Sequence, residues 1–172
     1  TRCGQATGLE ARPTQVQTPV TLSVQPYSRT VTAGQVFTVS IVVSDVVDLG
    51  GFEFTLAYSP TVVQVISATV GAFPGSTGRT FTPLGPNVDS VAGTVSFGAF
   101  SLGATPQGAS GSGTLAVLTL RALAEGESGL LFRSAQVSDR AGNPQPVSQM
   151  AGGLVKVGQG YRVYMPLILR NQ

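Results

Sequence analysis

The chain has 172 residues, 42% of them hydrophobic, with 22 Gly, 11 Pro, one Cys, no His and a net charge of +2. That apolar content supports a packed core and excludes wholesale disorder, while so thin a basic charge excludes a nucleic-acid groove. No apolar run reaches the roughly 18 residues that a membrane-spanning helix needs.

In chain order, residues 1–19 are polar, hold Pro13 and Pro19, and read as an extended N-terminal arm. Val36–Val43 is β-branched and partly alternating. Phe52, Phe54, Leu56 and Tyr58 alternate with Glu53, Thr55 and Ala57. Val62–Val70 is a further β-rich run. Gly71–Ser90, with Pro74, Pro83 and Pro86, reads as loop. Val95 and Phe97 follow a turn at Ala92-Gly93, and Ala104–Gly113 reads as almost pure loop. Leu115–Ala122, Leu130–Val137 and Leu154–Val157 supply three more strands. About nine short strands separated by turn residues predict an all-β sandwich.

The Val36–Phe73 stretch, above all Val46-Val47-Asp48-Leu49-Gly50-Gly51-Phe52-Glu53-Phe54-Thr55-Leu56-Ala57-Tyr58-Ser59-Pro60, resembles the cohesin family. Gly93–Phe97, Gly113–Leu120 and Ser138–Pro144 resemble later blocks of that family in the right order. The resemblance implies a cohesin-like jelly-roll β-sandwich of about nine strands, no catalysis and a dockerin-type protein partner. Tyr58-Ser59-Pro60 departs from the family pattern, which has Asp after Tyr. The expected organisation is an arm over 1–19, a sandwich over 20–158, and a hinge with an extra C-terminal apolar strand over 159–172.

Few residues have the chemistry of a site. Between residues 54 and 120 the only charged side chains are Arg79 and Asp89, whereas catalysis needs several convergent ionisable groups. Lack of His removes the commonest general base and neutral metal ligand. One Cys excludes an internal disulfide and a Cys-rich zinc site. The chain is therefore expected to be no enzyme and to hold no cofactor and no metal. Asp45 with Asp48, and Asp139 with Asn143, are open to a calcium-loop reading or a plain turn reading; each pair offers too few oxygens for calcium. Glu125 and Glu127 bracket Gly126 as turn charges. Cys3 is a candidate intermolecular thiol, or an unpaired structural one.

After the glycine hinge at 158–160, the residues Tyr161, Val163, Met165, Leu167 and Leu169 fall on one face of an extended strand. Such a tail needs cover, from its own sandwich or from a second copy, unless it is a sorting or anchoring signal. The chain opens on Thr1, read as a processed N-terminus and hence an extracellular, secreted or cell-surface protein. Three functions stay open. The main expectation is a structural subunit of a surface filament or layer, a homo-oligomer or polymer assembling by strand donation. The alternative is a module binding a dockerin-type partner. A carbohydrate-binding module is weaker, because Tyr27, Tyr161 and Tyr164 lie near the ends and form no evident platform.

Overall fold

The computed structural model describes residues 18–160; Cys3 and the strand expected over Tyr161–Leu169 lie outside them. Twelve strands follow one another: β1 (Val20–Gln25), β2 (Ser28–Thr32), β3 (Val36–Val46), β4 (Leu49–Ala57), β5 (Val63–Val70), β6 (Thr82–Asp89), β7 (Thr94–Phe100), β8 (Gly111–Ala122), β9 (Gly126–Asp139), β10 (Pro144–Gln145), β11 (Val147–Ala151) and β12 (Gly153–Gly158). They form a five-stranded sheet, β11-β1-β3-β8-β5, and a seven-stranded sheet, β2-β12-β9-β4-β7-β6 with β10 on β9. The expected all-β sandwich is therefore present.

Twelve strands stand where about nine were expected, in part because two extended runs change sheets. The N-terminal run crosses from the small sheet to the large one at Pro26 and Tyr27, so it counts twice, as β1 and β2. The C-terminal run crosses at Gly152 and also counts twice. A Cβ on Gly152 would sit 2.5 Å from the Leu130 carbonyl oxygen, so only glycine permits that crossing. The third extra strand, β10, has two residues.

One expectation is corrected. The region Gly71–Ser90, read as loop, contains the strand β6. Pro83 and Pro86 lack amide donors, but β6 is a sheet edge with only one neighbour, so those donors are not required. The second loop, over Ala104–Gly113, is loop until β8 begins at Gly111.

Alternation puts one face of each strand into a shared core. From the small sheet come Ile41, Val43, Leu118 and Leu120; from the large one come Phe54, Leu56, Phe97 and Leu130. Phe54 sits at the centre of an aromatic group, with ring centroids 6.4 Å from Phe52, 6.2 Å from Phe97 and 6.2 Å from Phe132. The two ends of the described chain lie at opposite poles. The Val20 amide donates to the Pro146 carbonyl at one pole, and at the other Ala33 donates to Gly158, which pairs with Thr32.

Candidate binding face

The alternation that buries Phe52, Phe54 and Leu56 turns Gly51, Glu53, Thr55 and Ala57 outward on β4. Register then sets their neighbours. Glu53 lies between Gly98 of β7 and Gln136 of β9; Gly51 lies between Phe100 and Ser138. Thr55 and Ser96 hydroxyls bond at 2.8 Å. Because Gly51 has no side chain, the face dips there. The result is an open cleft of about 300 Å³, lined by Gly51, Glu53, Leu84, Phe100, Gln136 and Pro144 among others.

Two adjacent glycines divide the work. A Cβ on Gly50 would overlap the Asp139 carbonyl oxygen at 2.2 Å, so Gly50 is a packing requirement. A Cβ on Gly51 would meet the Ser138 hydroxyl at 3.2 Å, the Ala99 carbonyl oxygen at 3.5 Å and the Phe100 Cβ at 3.7 Å, with no overlap of the kind at Gly50. Gly51 is the floor of the cleft, and a larger residue would fill it.

One wall, the turn carrying Gly142 and Pro144, is fastened by charge. The Asp139 carboxylate accepts from the Ala141 and Asn143 amides and from Asn143 Nδ2. Those bonds, the Asn143 side chain first, hold its carboxyl below the usual carboxylate range. Arg140 Nε pairs with Asp48 Oδ2 at 2.9 Å and its guanidinium donates to the Ala104 carbonyl. Asp48 also accepts from the Gly108 amide at 2.7 Å. Asp48 and Asp139 are thus spent on turns; Asp45 lies at the bulged end of β3, and Asp45 and Asp48 have φ of 63° and 52°. Glu125 bonds Gln159 and Glu127 pairs with Lys156, away from the cleft. Among the described residues no three His, Cys, Asp or Glu side chains gather as a metal site.

Arg79, which sequence reading left without a role, is 4% exposed and has no carboxylate partner among the described residues. Its guanidinium donates to the Ser101 hydroxyl and to the Gly103 and Pro106 carbonyls. Burying a charge in neutral surroundings is costly, and three charge-assisted bonds offset that cost. They fix the loop after Phe100, the residue that lines the cleft.

The cleft residues were not singled out from sequence, although one signal was present. Glu53 is the only charge in the outward set of β4.

The fold is an all-β sandwich with an open cleft on one outer sheet face. A family model for the cohesin domain matches residues 20–155, and the chain belongs to that family. Cohesin domains are non-catalytic protein-interaction modules, typically extracellular or surface-associated. Among solved structures, the cohesin of a type I cohesin–dockerin complex from Clostridium thermocellum is similar at 15% identity, with a TM-score of 0.67 over 83% of this chain and 95% of that one. A non-cellulosomal cohesin from Archaeoglobus fulgidus is similar at 17% identity, with a TM-score of 0.64 over 83% and 93%. A type II cohesin from Acetivibrio cellulolyticus is similar at 15% identity, with a TM-score of 0.61 over 80% and 95%. No curated protein sequence matches the chain. No helix among the described residues is long and apolar enough to cross a membrane.

Proposed function

We propose that this chain is a non-catalytic, extracellular protein-binding module that docks a dockerin-type partner on the outer face of the seven-stranded sheet. The observation that carries the reading is the cleft over Gly51, on a face that also exposes Leu84 by 51% and Leu131 by 57%. Buried aromatic or aliphatic anchors in a central pocket, ringed by polar groups, are what stable interfaces use. Glu53 has no ion-pair partner among the described residues, so it is available to a donor on the partner. Similar folds have been solved with dockerins bound, which supports this class of partner.

The test is binding to a panel of recombinant dockerin modules, with Gly51→Val as the blocked form. Filling the cleft is expected to weaken binding by roughly 100-fold, in the range of hot-spot losses, with the melting temperature unchanged. Equal binding by both forms, or no binding by any module, would contradict the reading.

A further inference from the structure

Four strands end the two sheets: β11 and β5 in the small one, β2 and β6 in the large one. A sheet edge offers unpaired amides and carbonyls to any extended chain, so edges are normally short or guarded. β6 holds Pro83 and Pro86 and is bulged between Leu84 and Asn87. β2 and β11 have five residues each. β5 differs. It has eight residues, VQVISATV, with neither a proline nor a charge. Its one irregularity is a bulge between Val65 and Ser67, where Ile66 is 46% exposed.

The seam beside β5 is open as well. Where β5 begins, Tyr58, Pro60, Val63, Gln64, Ser90 and Leu123 line a cavity of about 170 Å³ between the sheets. Leu123 is 43% exposed, and Val91, next to Ser90, is 94% exposed. A long edge with neither proline nor charge, beside an open seam that Tyr58, Val63 and Leu123 line, is suited to an added strand.

We propose that β5 accepts the segment Tyr161–Leu169 of a second copy of this chain. The match is one of pattern. In an extended strand, alternate residues share both a side-chain face and a hydrogen-bonding side. Tyr161, Val163, Met165, Leu167 and Leu169 then place five apolar side chains on the seam and five backbone units on the acceptor. Pro166 belongs to the other set, so its missing donor faces away from β5 and removes no bond to it. Arg162 and Arg170 also belong to the outward set, and β5 is uncharged, which makes the joint weakly dependent on salt.

Topology selects a second copy over the same one. β12 is next to the β2 edge of the large sheet, and β9, β4 and β7 separate it from β6, the edge that touches β5. Its last residue, Gly158, lies at a pole beside Thr32; the three residue steps from there to Tyr161 reach about 10 Å, less than the roughly 14 Å across β3 and β8 to the far side of β5. Donor and acceptor are different surfaces, so the contact is heterologous and propagates into a chain of copies. The proposal does not depend on the docking reading, because it uses an edge and not the cleft face.

The experiment uses the full chain, wild type and two variants, by sedimentation at about 100 μM, well above a micromolar dissociation constant. Ile66→Lys guards the acceptor edge and leaves the donor intact; Leu167→Asp spoils the donor and leaves the edge intact. Wild type is expected to form species larger than dimers. Each variant alone is expected to associate roughly 100-fold more weakly, from burying a charge in the joint. The two variants mixed are expected to stop at a heterodimer, because only one good joint exists between them. Circular dichroism confirms that each variant is folded. A monomeric wild type, undiminished association of either variant, or a mixture that forms no dimer would overturn the proposal.

Discussion

The two outer faces of the sandwich are built on the same rule of alternation and end up with different chemistry. On the small sheet the outward residues include Ser23, Ser40, Thr119 and Thr69, and charge is confined to Asp45 and Arg121 near its ends. β-branched and hydroxyl side chains of similar height leave the middle of that face even and uncharged. On the large sheet, Gly51 and Gly98 interrupt the outward rows, Leu84 and Leu131 stand exposed, and Glu53 and Gln136 flank the gap. Relief, mixed polarity and an unpaired carboxylate give a partner something to hold. Even Thr and Ser rows give water as much as they give a protein. The comparison teaches that function on this fold is decided by which outward positions lose their side chains, not by the core beneath.

The largest effect should come from breaking what the two faces share. Phe54→Ala removes the ring packed on Phe52, Phe97 and Phe132, and is expected to cost about 3–5 kcal/mol in urea unfolding. Because the core is common to both sheets, hydrogen exchange should rise in β3 and β8 as well as in β4 and β7. Exchange rising in the large sheet alone would mean that the faces are energetically separate.

Arg79→Ala tests the support of the cleft face alone. It leaves the Ser101 hydroxyl and the Gly103 and Pro106 carbonyls without their donor, at about 1–3 kcal/mol for the unsatisfied group. The loop after Phe100 should exchange faster, and the small sheet should not. Arg79→Lys is expected to recover only part of the loss, since one ammonium does not reproduce a planar fork.

The smallest effect is in alkali. Burial raises the pKa of the Tyr58 hydroxyl, Asp89 adds to the rise, and a hydrogen bond with Ser90 opposes it. The folded state thus favours neutral Tyr58. Its contribution is complete below the ordinary value of about 10 and is lost as pH rises through the folded value, because the unfolded chain ionises first. Tyr58→Phe should flatten the alkaline limb of the stability curve. An unchanged limb would show that Tyr58 ionises equally well in both states.

Much of this fold was legible in the sequence, and the limits have physical causes. Val36–Val43 and Phe52–Tyr58 announce themselves because one side of each strand is core and the other is not. β6 did not, because an edge strand needs neither apolar alternation nor all its amides, and its prolines look like loop. The crossings at Pro26 and Gly152 are invisible locally, since the chain stays extended while it changes sheets. The cleft depends on the mutual register of β4, β7 and β9, so no single segment contains it. Arg79 is held by carbonyls and a hydroxyl 22 to 27 residues away, groups that every loop possesses.

The most direct measurement is amide hydrogen exchange of the chain with and without a bound dockerin module, read strand by strand. The account predicts protection in β4, β7 and β9 around Glu53, Gly98 and Gln136, with β1, β3 and β8 unchanged. Protection on the Ser- and Thr-rich face of the small sheet, with the cleft strands unaffected, would contradict it.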